Sequence, residues 1–353
     1  MLKLEPRAAS SRVMGYGSPL LALALTLITG YVLFALLGKD PVESLYTFFI
    51  APLADLYGWS ELGVKVTPIL LCALGLAVCY RANVWNIGAE GQLIAGALLG
   101  SMIALQLLDI EGWWVLPTVL LSGVMGGLMW GGVAAWLKTR FAANEILTTI
   151  MLNYIALNLL LYGIHGPLKD PQGYNFPESA LFTDSALLPV WLEGTRLHVG
   201  LAFALLLMAV IWVLLSRTLL GFQVKVVGAD ASAGRYAGFK SQRLIWFCLL
   251  LSGALAGLAG VVEIAGPIGQ LVPVVSPGYG YSAIIVAFLG RLHPLGIVLA
   301  STLMGLIYLG GELAQISLGL PLALTGVFQG LLLFYLLICD VLIHFRVRWQ
   351  RGA

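Results

Sequence analysis

Residues 197–216 read LHVGLAFALLLMAVIWVLLS, twenty positions without Asp, Glu, Lys or Arg, bounded by Arg196 and Arg217. About 20 apolar residues wound as a helix cross the hydrocarbon of a bilayer, and roughly 17 to 25 are tolerated. Cutting the rest of the chain at every charged residue leaves nine more stretches of this kind. They are 13–38, 66–80, 91–108, 112–137, 146–168, 244–262, 264–290, 292–311 and 313–339. The stretch 66–80 is short. The stretch 264–290 is long but broken by Gly266, Pro267, Gly269, Pro273, Pro277, Gly278 and Gly280, and reads as a loop followed by a short helix over about 281–289.

Composition agrees. Of 353 residues, 60% are hydrophobic and 10% charged, against about 25% charged in an ordinary soluble domain. So few charges cannot cover a water-soluble surface. A collagen, a coiled coil, a disulfide scaffold and a disordered chain are excluded by apolar content spread along the whole length. The expected fold is an all-α polytopic membrane protein. It forms one transmembrane domain over 1–353, with about ten spanning helices of which one or two are short or broken. The net charge of +2 gives no reason to expect a nucleic-acid partner.

Ten crossings put both termini on one side, and Lys and Arg favour the cytoplasmic side. With the termini inside, only Lys39, Lys65, Lys169 and Arg196 of the 19 Lys and Arg fall outside. The opposite orientation inverts that ratio. Both termini are therefore expected in the cytoplasm, with the protein multi-pass in the inner membrane. The first span reads as an anchor, because its apolar run outlasts a typical signal sequence and no clean small-residue cleavage site follows. Cys72, Cys79, Cys248 and Cys339 all lie in apolar stretches and show no metal or pairing pattern.

Two segments between spans are long. The outer one, 166–198, carries Tyr174, Phe176, Phe182 and Trp191 among Pro, Gly and Asp. It reads either as a surface connector or as a docking lip for an extracytoplasmic partner. The inner one, 217–243, contains Gly228-Ala229-Asp230-Ala231-Ser232-Ala233-Gly234-Arg235-Tyr236-Ala237-Gly238. Asp230 is an N-cap residue and Gly238 a helix terminator, so the block predicts a short capped helix. Its small residues Ala231, Ala233, Gly234 and Ala237 allow another backbone to approach. A basic loop resting on lipid head groups is the other reading.

That block resembles the cytoplasmic coupling loop of permease subunits in bacterial binding-protein-dependent ABC importers. This family serves ribose and other simple sugars, nucleosides and branched-chain amino acids. The loop typically reads Val-Gly-Glu-Asn-x-x-Ala-Ala-Arg-Tyr-x-Gly-Ile; Ala229-Asp230 here replace Glu-Asn, and Gly234 replaces the second Ala. Asn86-Ile87-Gly88-Ala89-Glu90-Gly91-Gln92 is similar to the Asn-Ile-Gly-x-Glu-Gly-Gln signature of the nucleoside-type branch. So is Ala143-Asn144-Glu145-Ile146 running into Met151-Leu152-Asn153-Tyr154. The resemblance implies a permease subunit translocating a small polar solute, a nucleoside first and a simple sugar next. It implies a solute-binding protein outside, a second permease subunit, identical or related, and an ATPase subunit docked at Gly228, Asp230, Ala233, Gly234, Arg235, Tyr236 and Gly238.

The chain has no Gly-x-x-x-x-Gly-Lys-Ser/Thr pattern, so ATP and magnesium are expected on the partner and no cofactor on this chain. His165, His198, His293 and His344 are scattered, which gives no support to an intramembrane enzyme. The charged residues sit at the ends of the stretches, with Glu90, Glu263 and Glu312 the candidates for deeper placement. That disfavours the rival reading of an ion-coupled secondary carrier. Gly88, Gln92, Gly96 and Gly100 share one helical face, as do Gly123, Gly127 and Gly131, a spacing that signals close helix packing. The candidate solute pathway is Asn83, Asn86, Glu90, Gln92, Thr149, Asn153, Tyr279 and Tyr281. Polar residues surrounding a broken helix are where transporters meet solute, although interhelical hydrogen bonding accounts for the same residues. Tyr279 and Tyr281, flanking Gly280, are expected to line or gate the outer mouth.

Overall fold

The computed structural model describes residues 2–7 and 11–349. The chain forms thirteen α-helices among these residues: α1 Arg12–Leu36, α2 Pro41–Phe49, α3 Leu56–Arg81, α4 Ala89–Gln106, α5 Val115–Phe141, α6 Glu145–His165, α7 Gly200–Arg217, α8 Leu219–Ala229, α9 Ala231–Tyr236, α10 Ser241–Glu263, α11 Tyr279–Leu289, α12 Pro294–Leu318 and α13 Ala323–His344. Two short strands, β1 Leu2–Pro6 and β2 Phe345–Trp349, pair antiparallel. The protein is an all-α polytopic membrane protein. Eight helices among the described residues, α1, α3, α5, α6, α7, α10, α12 and α13, are long and apolar enough to cross a bilayer. The remaining two expected spans are α4, whose first turn carries Glu90 and Gln92, and the short α11.

Cutting at charges shortens two helices artificially. Helix α3 runs for 26 residues straight through Glu61 and Lys65. Glu61 is buried because Arg196, far along the chain, forks onto its carboxylate, with Nε donating to Oε1 at 3.0 Å and Nη2 to Oε2. A bidentate, charge-assisted pair of this kind allows a carboxylate to leave water. Helix α12 likewise continues through Glu312 to Leu318.

The chain divides into two compact units. In the unit Ser60–Gly305, α4, α5 and α10 form the centre. Their contact is made by glycines. A side chain at Gly127 would run into the Gly253 carbonyl oxygen, and one at Gly96 into the backbone of Gly257. Without side chains the backbones approach closely and gain dispersion contacts, which lipid-embedded helices rely on because lipid tails supply no hydrophobic drive. Helix starts follow local chemistry. Asn144 caps α6 by accepting the Ile146 N–H at 2.9 Å, and Lys138 at the end of α5 pairs with Glu145 in the first turn of α6.

The segment 166–198 is tied by main-chain hydrogen bonds to the chain that follows α10. Ser179 N–H donates to Leu271 O at 3.0 Å, Phe182 N–H to Gly269 O at 2.9 Å and Leu188 N–H to Ala265 O at 2.7 Å. Phe182 is buried in this seam, whereas Tyr174, Phe176 and Trp191 remain exposed. Phe182 is therefore a packing residue and leaves three aromatics on the surface of the loop. His198, at the end of the segment, is enclosed, and burial pushes its imidazole down to about 4. Its Nδ1 accepts the Gly200 N–H at 3.1 Å.

The second unit comprises the first 59 residues with those from Leu306 on. Here α1 and α13 pack side by side. Thr29 and Tyr335 share a hydrogen bond of 2.7 Å, and Ser18 donates to Asp340 at 2.8 Å. Helix α2 starts on Asp40, which accepts the Val42 and Glu43 amides, with Pro41 at its first position. It inserts Phe48 beside Phe34 and Phe328, with ring centroids 6.4 and 4.7 Å away. The paired strands bring the two chain ends together at one end of the α1–α13 pair.

Candidate functional site: the α3–α4 break and the α8–α9 surface

The chain leaves α3 at Arg81 and re-enters a helix at Ala89. Asn83 turns the chain with φ of 55°, a left-handed conformation Asn tolerates better than most residues. Seven residues of non-helical backbone must then find partners for their polar groups, since an unpaired amide in an apolar setting is costly.

The motif residues supply them. Asn86, fully buried, donates from Nδ2 to Gln92 Oε1 at 3.1 Å and to Ser252 Oγ at 3.0 Å. Its Oδ1 accepts the Gly88 N–H at 2.8 Å, and its carbonyl accepts the Tyr80 hydroxyl at 2.9 Å. Thr149 Oγ1 accepts the Ile87 N–H at 3.1 Å and donates to Glu145 O at 2.6 Å. Asn153 accepts the Gly91 N–H at 2.9 Å and donates to Ile87 O at 2.9 Å and to the Tyr281 hydroxyl at 3.2 Å.

Glu90 performs the corresponding task for α11. Its Oε2 accepts the Gly280 N–H at 2.7 Å, and the Ser276 hydroxyl and Tyr281 amide also bond to the carboxyl. Ser276 Oγ in turn accepts the Gly278 and Tyr279 amides at 3.1 and 2.9 Å. The Glu90 carboxyl thus supplies acceptors for the orphan amides at the start of α11. The two helix starts touch so closely that a Cβ on Gly280 would overlap the Glu90 backbone. Helix α11 then runs eight residues, about 12 Å, to Phe288, which stacks on Tyr80 with centroids 5.1 Å apart. Arg81 Nε donates to Leu292 O at 3.0 Å just beyond.

The expected pathway residues thus separate. Asn86, Glu90, Gln92, Thr149, Asn153 and Tyr279 are buried and bonded within the protein, while Asn83 and Tyr281 reach the surface. Tyr279 is enclosed within the protein, and of the two tyrosines that flank Gly280 it is Tyr281 that reaches the surface. Sequence reading missed Ser252 and Ser276, whose only signal is a small hydroxyl beside Gly or Pro. It also passed over the exposed stripe of α6 next to Tyr281, which carries Tyr154 and Asn158. A shallow groove on this face is lined by Tyr154, Ile155, Asn158 and Leu159.

In the 217–243 segment the capped helix forms as expected. Asp230 accepts the Ser232 N–H at 2.8 Å, α9 follows, and Gly238 takes φ of 79°. The Ser232 hydroxyl and amide hold the Asp230 carboxyl below its ordinary range. Two expectations change. Gly228 belongs to the preceding helix α8 and lies against the Arg81 carbonyl oxygen. Gly234 faces Val227 and is buried, so it is a packing contact between α8 and α9. The surface that α9 offers is Ala231, Ala233, Arg235, Ala237 and Tyr236, the last 98% exposed.

Among the described residues no group of His, Cys, Asp or Glu is arranged to hold a metal ion. Residues 59–337 match the family described as branched-chain amino acid transport system / permease component. A glucose ABC transporter permease protein of Haloferax volcanii is 34% identical, the alignment covering 98% of this chain and 93% of that protein. A guanosine ABC transporter permease protein of Bacillus subtilis is 31% identical over 90% and 91%. A nucleoside ABC transporter permease protein of Lactococcus lactis is 28% identical over 90% and 89%.

Proposed function

The chain belongs to the permease-component family of branched-chain amino acid transport systems, and we propose that it carries a nucleoside across the cell membrane as the spanning subunit of an ABC importer. It is not itself the enzyme of such a system; ATP and magnesium sit on a partner ATPase. A solute-binding protein delivers the nucleoside to the outer face, and a second permease chain, identical or related, completes the pathway. The positive-inside distribution supports cytoplasmic termini and an α9 surface facing the ATPase.

The observation that carries the reading is the meeting of the α4 and α11 starts at Glu90 and Gly280 inside the helical body. Interrupted helices of this kind mark the solute path in transporters. Here the buried polar groups are committed to one another, so they act as a rigid joint. The solute-facing groups are the Tyr281 hydroxyl, which Asn153 holds in place, and Tyr154 and Asn158 on the neighbouring α6. Tyrosine faces suit a nucleoside, whose base stacks on aromatic rings. The 34% identical glucose permease favours a simple sugar as the second reading.

The test is uptake into proteoliposomes containing this chain, its ATPase and its binding protein. Guanosine uptake that requires ATP supports the reading. Uptake by this chain alone, driven by an ion gradient, replaces it with the secondary carrier.

A further inference from the structure

The break between α3 and α4 carries one large aromatic, Trp85, and that residue is 40% exposed. The chain around it is non-helical and its side chains alternate in direction. Val84 and Asn86 turn inward and are buried, while Asn83 and Trp85 turn outward. A tryptophan that only marks the membrane interface keeps its indole N–H for water or head groups. Trp85 does not. Its Nε1 donates to Asn83 Oδ1 at 3.0 Å. Its main-chain amide is held by the Glu145 carboxyl, which Lys138 also grips at the α5–α6 corner. Its ring lies against Tyr80 and Phe288, with centroids 5.5 and 6.1 Å away. Backbone, ring nitrogen and ring are thus all fixed on a side chain that remains partly open.

Phe288 joins this ring to Tyr281. Along α11 only Tyr281, Ile284 and Phe288 escape burial. Their spacing of three and then four residues puts them on one face of the helix. That face starts at the Tyr281 hydroxyl, which Asn153 holds, and ends about 10 Å further along the axis at Phe288 and the Trp85 ring. Arg81 ends α3 and Arg291 follows α11, which marks this end as the cytoplasmic one. The segment that carries Trp85 also meets α8, because the backbone of Arg81 and Ala82 lies against Gly228. A shift of α8 is therefore passed to residues 81–85.

We propose that the Trp85 ring is the inner gate of the solute path. Resting on Phe288, it closes the lane that runs down α11 from Tyr281, and a displacement of residues 81–85 by α8 swings it aside. This rests on the importer reading above. It gives Trp85 a task separate from solute recognition, which falls to Tyr281, Tyr154 and Asn158. A large flat ring with only two side-chain torsions suits a gate, since it covers much area and loses little freedom when it closes.

The native cysteines are buried, so Ile284→Cys places one reactive thiol in the lane. The chain is reconstituted in proteoliposomes with its ATPase and its binding protein, and a membrane-impermeant maleimide is supplied from the ATPase side without ATP. The gate predicts slow labelling with Trp85 in place, labelling several-fold faster with Trp85→Ala, and a return toward the slow rate with Trp85→Phe. Phe288→Ala, which removes the surface the indole rests on, should also speed labelling. With Ile284 intact, Trp85→Ala should let preloaded guanosine leak several-fold faster without ATP. Trp113→Ala, at a tryptophan exposed in the α4–α5 connection, should leave labelling and leak unchanged. Wild-type labelling and leak in Trp85→Ala overturn the proposal. Equal acceleration by Trp113→Ala overturns it too, as a general loosening of the protein. A wild-type complex with no ATP-dependent uptake of guanosine or glucose instead refutes the importer reading, and the labelling rates separate that failure from a failure of the gate.

Discussion

Gly228 packs its Cα against the carbonyl oxygen of Arg81 so closely that no Cβ fits between them. Arg81 is the last residue of α3, and the next seven residues form the break that ends at α4. Gly228 lies in α8, whose Val227 side chain covers Gly234 of α9. A displacement of α9 therefore has a short, solid route to the Asn86 network through Val227, Gly228 and Arg81. Interiors this tightly packed shift as blocks and do not deform gradually. Under the proposed function, this contact would couple the proposed ATPase-docking surface of α9 to the proposed solute path.

The outward face of α9 is separable from its inward face. Tyr236→Ala removes a ring that touches almost nothing of its own chain. It should change thermal stability by less than about 0.5 kcal/mol while reducing co-purification of the ATPase subunit. Gly234→Trp should instead lower the melting temperature, because it drives a ring into Val227. Normal ATPase recovery with Tyr236→Ala counts against α9 as the docking surface.

The joint at Asn153 should behave as structure. Asn153→Ala leaves the Gly91 N–H and Ile87 O without their partner. Buried groups so orphaned cost about 1–3 kcal/mol each, so a loss of several degrees in melting temperature is expected. Tyr281→Phe removes a hydroxyl that is partly exposed. It should cost under about 1 kcal/mol in stability and raise the KM of uptake. The reverse order of the two melting temperatures contradicts this division.

His198 gives a pH dependence with a definite sign. Its folded value of about 4 lies below its ordinary 6.5, so the unfolded chain binds the proton more readily. The stability held by the neutral imidazole is full above about 6.5 and is lost progressively as pH falls toward 4, by up to about 3 kcal/mol. Melting curves of wild type and His198→Gln between pH 7.5 and 4.5 should show a steeper acid loss in wild type. Parallel profiles would remove His198 from this role.

Much of this architecture is legible in residue type and spacing. The Asp230 cap, the glycine seam of α4, α5 and α10, and the break near Asn86 all follow from local rules. What the chain hides is long-range. Glu61 falls outside every charge-free stretch, yet lies inside α3, where Arg196 pairs with it from 135 positions away. The terminal ribbon joins Leu2 to Trp349, and five-residue alternations at two chain ends carry no sign of pairing. Direction is also hidden. Gly234 and Ala233 are adjacent small residues, and only the packing of α8 turns the first inward. For the same reason the sequence leaves Asn86, Gln92 and Asn153 open between solute contact and interhelical hydrogen bonding, and does not name the distant partners Ser252, Gly91 and Ile87 that Asn86 and Asn153 bond.

The coupling route is tested most directly at Gly228→Val in the reconstituted complex. The readout is ATPase activity stimulated by the solute-loaded binding protein, measured together with solute uptake and with the amount of ATPase subunit that co-purifies. Because the α9 surface is untouched and only the contact with Arg81 is wedged apart, the ATPase should still co-purify, while stimulated hydrolysis and uptake both fall severely. Wild-type stimulation and uptake in Gly228→Val would contradict the account, since the α8 contact with Arg81 would then carry no work.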